Sequence, residues 1–138
     1  MRSKDYSVEI GDSFTLKNQD GEHYHVIVAE SMPGDYGSIM LIYLSSKDVP
    51  NKDTTTKLNP DECLGKFVIN RHCWVRYQNT YTSSRIDTQN SILEHFGKVD
   101  SKLFDRITAG LLKSNKTPNY LKQRFHEWKM NKGFGDMK

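Results

Sequence analysis

The sequence has little cysteine and no long apolar run, and each of these two shortages excludes a class of protein. Two of its 138 residues are cysteine and four are proline. Cys63 and Cys73 are too few for the disulfide framework of a small secreted protein, so we expect reduced thiols. The apolar runs stay below the ~18 residues of a membrane span, and residues 1–14 lack the apolar centre of a signal peptide. We therefore expect a cytoplasmic protein that makes no membrane contact.

Several catalytic motifs are missing as well. No G-x-S-x-G sequence surrounds Ser45 and Ser46, and no Walker sequence follows Gly34 and Gly37. No pair of carboxylates stands out, and there is no internal repeat. The sequence thus gives no sign of a serine hydrolase or a P-loop protein, and it predicts no bound cofactor.

The length and the charge distribution indicate the number of domains and the location of a basic segment. A chain of 138 residues predicts a single domain over residues 1–138 with a core of its own. Residues 114–138 hold six basic residues against two acidic ones, within a whole-chain net charge of +3. This basic segment is compatible with contact to phosphates or to an acidic protein, although the composition favours a solvated helix face.

Two apolar runs, Val26–Ala29 and Ile39–Leu44, dominate the first half of the chain. Both are rich in Val, Ile and Leu and are too short for helices, and Pro33-Gly34 and Gly37 lie between them. We predict two strands joined by a loop. Because each run has at least four adjacent apolar residues, both faces of these strands should be covered by protein.

The order of patterns predicts an α+β fold, a small β-barrel followed by C-terminal helices. Residues 10–86 alternate short strands with turns, and Thr54–Leu58 could add an edge strand. From Asp87 the period changes, which predicts helices over residues 87–133. We expect one from about residue 88 to Gly97, one capped by Asp100 or Ser101, and one from Thr117-Pro118 to Gly133. The predicted barrel core comprises Phe14, Val26, Val28, Leu41, Tyr43, Ile69 and Val75, and the predicted helix stripes comprise Leu103, Phe104, Ile107, Leu111, Leu121, Phe125 and Trp128.

Two histidines stand at the start of the first apolar strand. His23 and His25 are two residues apart, so on a strand they project to one side about 7 Å apart. In an antiparallel pair Ser45 and Ser46 would lie beside them. Two imidazoles can remove one proton and donate another, as metal-independent RNA cleavage requires. The alternatives are a histidine packed at the edge of the barrel beside an exposed one, and a zinc site completed by Cys63, Cys73 or His72.

A second polar cluster surrounds Trp74. Arg71, His72 and Arg76 flank it, and such arginines can bind phosphate through two hydrogen bonds while an aromatic ring stacks an unpaired base. The alternative is that Trp74 belongs to the core and Arg76 is an outward strand residue.

Several of these motifs resemble the MazF/PemK-like toxin superfamily. They are Gly11-Asp12 before a first strand, the strand HVIVAES, and a strand that ends in Ser45-Ser46. The later segments FVINRHCWVRYQNTYTSSRI and KVDSKLFDRITAGLLKSNKTPNYLKQRF are similar to an uncharacterised bacterial branch of PemK-like proteins. Together the motifs span about residues 10–125.

The resemblance implies an SH3-like barrel with appended helices, and a toxin of a toxin–antitoxin system. It further implies a metal-independent endoribonuclease of single-stranded RNA, a small antitoxin partner and a homodimer. His23-Tyr24-His25 stands where the family has its catalytic arginine. We therefore expect His23, His25, Ser45 and Ser46 to be catalytic, and Arg71, His72, Trp74, Arg76 and Arg85 to bind substrate. The alternative function is a non-catalytic barrel that binds nucleic acid or a partner protein.

Overall fold

The structure, a computed structural model, describes residues 8–17, 23–32 and 34–136, with the backbone alone at 31–32, 35–36 and 132–136. The sequence Asn18-Gln19-Asp20-Gly21 predicts a turn, and these residues lie outside the described ranges. The strands are β1 (Asp12–Leu16), β2 (His23–Met32), β3 (Asp35–Ser45), β4 (Lys57–Leu58), β5 (Cys63–Leu64), β6 (Phe67–Val68), β7 (Cys73–Val75), β8 (Tyr81–Ser84) and β9 (Ile92–Lys98). The helices are α1 (Arg85–Ser91), α2 (Ser101–Lys113) and α3 (Asn119–Asp136), and a short 3-10 helix covers Tyr77–Asn79.

The antiparallel pair β2–β3 forms the centre of the sheet. Its register begins with His23 opposite Ser45 and shifts between Ile27 and Ala29, where Val28 is the extra residue of a bulge, and again between Glu30 and Met32. Val26–Ala29 and Ile39–Leu44 are fully buried apart from Tyr43. The prediction that protein covers both faces of this pair is therefore confirmed, whereas the placement of Tyr43 in the core is wrong because its side chain is partly exposed.

The fold is α+β, as predicted, but the sheet is open. The strand order is β4-β7-β3-β2-β1-β9, with β8 also paired to β3, and every described pairing is antiparallel. Strands β7 and β8 follow one another along the same edge of β3, separated by the 3-10 helix. The end strands β4 and β9 share no pairing among the described residues, so the sheet does not close into the predicted barrel. The predicted edge strand is present as β4, and β5–β6 form a separate hairpin.

Strand β9 is the main departure from the predicted elements. Ile92, Leu93 and Phe96 were expected on a helix ending at Gly97, but the helix α1 ends at Ser91 and these residues extend along β1. Ser13 lies opposite Gly97 and Phe14 opposite His95, so Phe96 is the extra residue of a bulge. Gly97 has a φ of +95°, which only glycine adopts readily. A second shift, with Leu93 as the extra residue between Ile92 and Glu94, places Ile92 and Phe96 in different clusters. In the sequence, their spacing of four residues resembles one face of a helix.

The helices α2 and α3 follow the prediction closely. The Asp100 side chain accepts a hydrogen bond from the Leu103 amide at 2.8 Å and caps α2. The predicted stripes of both helices are buried, with Phe104 partly so. The prediction that Gly133 ends the last helix is wrong, since α3 continues to Asp136.

Two apolar clusters lie in the protein, and they divide the sheet between them. The larger, which we call the helix-side core, joins Tyr24, Val26 and Val28 of β2 to the buried residues of α2 and α3. The smaller, the histidine-side core, contains Val8, Phe14, Ile27, Ile39, Leu41 and Ile92. Of the predicted barrel core, all residues except Tyr43 are at most 1% exposed.

Gly110 lets α2 approach the strands closely. A Cβ atom at this position would collide with Thr56 Oγ1 and Tyr77 Oη. The buried Tyr77 hydroxyl lies 2.7 Å from the Ile107 carbonyl oxygen, to which it donates, and 2.8 Å from the Thr56 hydroxyl. A side chain at 110 would break these hydrogen bonds.

We expect Gly110→Ala to lower the free energy of unfolding by about 1–3 kcal/mol, through overpacking and lost hydrogen bonds. Urea denaturation measures the change. The control is Ala109→Gly at the exposed neighbouring position, which should cost about 1 kcal/mol from helix propensity alone. Propensity alone predicts that Gly110→Ala stabilises, so any gain in stability would contradict the close approach.

Candidate functional site

A row of cross-strand neighbours links four strands at one end of the sheet. Lys57 of β4 lies opposite Trp74 of β7, Trp74 opposite Ser45 of β3, and Ser45 opposite His23 of β2. Directly opposite residues of antiparallel strands project from the same face. We call these four residues the rim row. The antiparallel pairing thus places His23 beside Ser45, as the sequence predicted, and adds Lys57 and Trp74 to them.

His25 lies on the same face of β2 as His23 but is covered by other residues. Its side chain is 2% exposed and contacts the rings of Phe14, Tyr43 and Tyr81. Its Nδ1 atom lies 3.2 Å from the Tyr81 hydroxyl oxygen, and within the described ranges its Nε2 atom has no hydrogen-bond partner. The histidine pair is therefore split into a buried imidazole and a partly exposed one.

Burial determines the charge of this cluster. It lowers the pKa of His25 to about 4, with a smaller contribution from the charge of His23, and it raises the pKa of Tyr81 to about 12. His25 is thus neutral at neutral pH. Such an imidazole accepts a proton only weakly near neutral pH, and the catalytic role that the sequence predicts for His25 stays a prediction.

Trp74 organises the lysines of the rim row. Its side chain is 9% exposed, and the ammonium groups of Lys52 and Lys57 lie 4.9 and 5.7 Å from its ring centroid. Cation–π attraction to an indole ring is worth about 0.5–2 kcal/mol. The ring offers little open surface on which a base could stack, and instead it holds two cations at the edge of the sheet. Lys52 also pairs with the exposed Asp48 at 2.6 Å, which lowers the pKa of that carboxyl.

The side chains of Arg76 and Ser45 form hydrogen bonds with the backbone of Lys47, just after the end of β3. An Nη2 proton of Arg76 is donated to the Lys47 carbonyl at 2.8 Å, and the Ser45 hydroxyl accepts a hydrogen bond from the Lys47 amide at 3.1 Å. Ser45 is 1% exposed, while Arg76 and Ser46 are partly exposed. The Ser45 hydroxyl is therefore buried beneath the rim row, where it binds the backbone, and its oxygen is not exposed to solvent.

The other predicted arginines are not brought to the rim row in the same way. Arg71 and His72 are exposed on the loop before β7. Arg85, at the start of α1, pairs with Glu30 at 2.9 Å and donates to the Val8 carbonyl. It fastens the chain at Val8 to α1, and the substrate contact that the sequence predicts for Arg85 stays a prediction.

Four residues of this region escaped the sequence reasoning, namely Tyr43, Lys52, Lys57 and Tyr81. Tyr43 lies opposite His25, and its ring meets that of His23 edge-on at 4.8 Å. It shares the parity of Ser45 on β3, which is a signal that could have placed it at the site. Lys52 and Tyr81 arrive from a loop and from β8, so tertiary packing alone brings them here.

The comparisons with known proteins provide no evidence on the function of this site. No family model matches the chain, and a search of curated proteins finds no similar protein. In the part of the chain described, no helix is long and apolar enough to cross a membrane. Over the same residues, no three His, Cys, Asp or Glu side chains are grouped to hold a metal ion, so the suggested zinc ligands do not meet.

The buried His25 should make the protein less stable in acid. With a folded-state pKa of about 4 against 6.5 in the unfolded chain, the unfolded state binds more protons between these values. Stability is then lost as the pH falls from 6.5 towards 4, by about 3 kcal/mol in all. In His25→Phe the loss over this range should shrink by about that amount, measured by urea denaturation at a series of pH values.

The matched control is His126→Gln, because His126 is exposed on α3. For this variant, the free energy of unfolding should depend on pH in the same way as it does for the wild type. Parallel curves for the wild type and His25→Phe would show that His25 is not held neutral by burial.

Proposed function

We propose that this protein binds single-stranded RNA across the rim row and cleaves it without a metal, as a toxin of the MazF/PemK-like type. The observation that carries the proposal is the rim row itself. Its four strands align His23, Ser45, Trp74 and Lys57 on one face, at the end of the sheet where the resemblance expects substrate.

Binding is supported by the cations and rings of this face. Trp74 holds the ammonium groups of Lys52 and Lys57, and positively charged grooves follow the backbone of single-stranded nucleic acids. His23 and Tyr43 are partly exposed and meet edge-on, so a base can stack against either ring. RNA phosphates would contact the lysines, and a base would contact the His23–Tyr43 pair.

Cleavage is assigned to His23, the accessible imidazole of the pair. It would take the proton of the 2′-hydroxyl, whose oxygen then attacks phosphorus while the 5′-oxygen leaves with a proton from water. The product strand would end in a cyclic phosphate. Lys57 and Arg76 would offset the charge on the phosphate. His25, neutral behind His23, would hold the orientation of the rings.

The remaining parts of the proposal follow from the resemblance and from the strand pattern. We propose an SH3-like relationship for the sheet, which the bulged β2–β3 pair and the consecutive pairing of β7 and β8 along β3 support. A small antitoxin, a homodimer and action in the cytoplasm belong to the same proposal.

The second candidate is a binding protein without catalysis. It is favoured by the burial of His25 and by the commitment of Arg85 to Glu30, since both groups are then withdrawn from acid–base or phosphate chemistry. RNA would bind at the same lysines, and the strand would remain intact.

Lys52 and Lys57, which lie over the Trp74 ring, should determine how RNA binding depends on salt. For single strands, each phosphate contact contributes about 0.7 to the slope of log K against log salt. We expect Lys52→Gln and Lys57→Gln each to reduce the slope by about this amount, measured by fluorescence anisotropy with a labelled oligouridylate. Lys129→Gln, at an exposed site on α3, should retain the wild-type slope. Equal slopes in all four proteins would place the binding surface elsewhere.

Cleavage should depend on His23 and not on a chelatable metal. We expect the wild type to cleave a single-stranded RNA in the presence of EDTA, and His23→Ala to lose about 10²–10⁴ in rate at saturating RNA, in addition to the affinity that it loses with the stacked base. His126→Ala is the control for loss of an exposed imidazole. Tight binding by the wild type without any cleavage would establish the binding protein instead.

A further inference from the structure

The loop at residues 46–56 joins β3 to β4 and carries Lys52 to the Trp74 ring. The Lys52 amide donates to the Val49 carbonyl at 3.2 Å, and the Lys52 ammonium lies 4.9 Å from the centroid of the Trp74 ring. The ammonium also pairs with Asp48, whose side chain is 72% exposed. Because exposed ion pairs stabilise a conformation only weakly, the position of Lys52 depends on what holds the backbone of the loop.

Asp53, the next residue along the loop, is held by hydrogen bonds in the interior. It is 4% exposed, its Oδ2 atom accepts a hydrogen bond from the Ser114 hydroxyl at 2.5 Å, and its Oδ1 atom accepts one from the Thr55 amide at 2.9 Å. Burial by itself raises the pKa of this carboxyl, but the hydrogen bonds from Ser114 and Thr55 outweigh it and lower the pKa below its ordinary value. The group is therefore ionised at neutral pH, and hydrogen bonds to an ionised acceptor are roughly twice as strong as those between neutral groups.

Ser114, which donates to Asp53, is itself fixed by three further hydrogen bonds at the end of α2. Its amide donates to the Gly110 carbonyl at 2.8 Å, and its hydroxyl accepts from the Lys116 amide at 3.0 Å. Its carbonyl accepts from the Lys122 ammonium of α3 at 2.7 Å. Ser114 is 2% exposed, so the donor to Asp53 belongs to a buried junction between the two helices.

The two chain neighbours of Lys52 are both bound to this junction. The Asn51 carbonyl accepts a hydrogen bond from the Lys116 ammonium at 2.6 Å, and on the other side Asp53 accepts from Ser114. Because the backbone is held on both sides of Lys52, the direction in which its side chain leaves the loop is restricted. That direction leads to the rim row.

We propose that Asp53 and Ser114 are positioning residues, which hold the loop so that Lys52 lies over Trp74 and meets RNA at the rim row. This inference rests on the proposed function. The affinity of the rim row would then depend on a buried pair that RNA does not touch. A change at Ser114 would act on RNA through Lys52.

The first test uses the Trp74 indole signal and needs no RNA. The chain has two tryptophans, so Trp128→Phe assigns the two indole signals in a ¹H–¹⁵N spectrum. Lys52→Gln removes a cation from the ring and should shift the Trp74 signal. Ser114→Ala leaves the buried Asp53 carboxylate without its donor, which is unfavourable, so the loop should open and shift the signal in the same direction. Ser114→Ala combined with Lys52→Gln should shift it no further than Lys52→Gln alone.

The matched control is Thr117→Val, which also removes a buried hydroxyl from the junction. Thr117 is 3% exposed, and its hydroxyl donates to the Leu111 carbonyl at 2.8 Å rather than to the loop. This variant should leave the Trp74 signal unchanged. A shift as large as that of Ser114→Ala would mean that any loosening of the helices moves the signal, and it would overturn the specific role of Asp53 and Ser114.

Lys116→Gln keeps the test decisive if Ser114→Ala fails to fold. Lys116 is exposed, and its ammonium donates to the Asn51 carbonyl, so its loss loosens the loop without leaving a buried charge unpaired. The Trp74 signal should move in the direction seen for Lys52→Gln. If neither Ser114→Ala nor Lys116→Gln moves this signal, the positioning role is wrong.

The second test measures affinity for a labelled oligouridylate of twelve nucleotides by fluorescence anisotropy. One lost phosphate contact on a single strand weakens binding about 3- to 5-fold near 0.15 M salt. Lys52→Gln should show this loss, Ser114→Ala a loss no larger, and the double variant the same loss as Lys52→Gln. Thr117→Val should bind as the wild type does. Losses that multiply in the double variant would show that Ser114 does not act through Lys52.

The two tests separate this inference from the proposed function. If the wild type binds no RNA but the Trp74 signal moves in Ser114→Ala, the RNA assignment fails and the positioning of Lys52 stands. If RNA binding depends on Lys52 while the Trp74 signal is unchanged in Ser114→Ala and Lys116→Gln, the rim row stands and the positioning role is wrong.

Discussion

The pairing of β2 with β3 is the constraint on which the rest of the structure depends. Its register places His23 opposite Ser45, and a shift by one residue would move every side chain of the strand to the other face. The register is fixed because both faces are buried, one under α2 and α3 and the other under Phe14 and Tyr81. The arrangement of the rim row is thus determined by apolar packing at a distance from it.

Burial at the site separates two side chains that the sequence cannot tell apart. His23 and His25 have the same spacing, parity and chemistry, yet one is partly exposed and the other is enclosed by aromatic rings. The enclosed ring cannot readily accept a proton, since an imidazolium there would lose its hydration and lie near a second imidazole. A neutral His25 leaves His23 as the imidazole of the pair that can meet a ligand, and Trp74 adds two ammonium groups close by.

The sequence predicts those parts of the protein that depend on local pattern. The runs at Val26–Ala29 and Ile39–Leu44 predict the central strands, and the cap at Asp100 with the stripe behind it predicts α2. Prediction from the sequence fails where one extra residue in a bulge reverses the face of the sheet to which the following side chains point. Phe96 in the bulge of β9 has the spacing of a helical face, and only its pairing with β1 reveals the strand. Closure of the sheet also escapes prediction, because it depends on whether its end strands meet.

The candidate site likewise has a part that follows from local sequence pattern and a part that depends on tertiary contacts. Its row on β2 and β3 follows from strand alternation and antiparallel pairing, so His23 and Ser45 could be placed together from the sequence. The covering of His25 by Tyr81, and the capture of Lys52 by Trp74, join residues far apart in the chain. Neither contact has a local signal. The side chains that set the pKa and hold the cations were for this reason missed or assigned other roles.

The direction of the rim row sets the length of RNA that the proposed binding would cover. The row runs across the strands, from β4 through β7 and β3 to β2. Neighbouring strands are about 4.8 Å apart, so the Cα atoms of Lys57 and His23 are separated by roughly 14 Å. At the rise of about 3.4 Å per nucleotide of a stacked strand, this distance corresponds to about four nucleotides. Backbone hydrogen bonds set this spacing, so substitutions of side chains would change how tightly the row binds the proposed RNA but not the distance that the row spans.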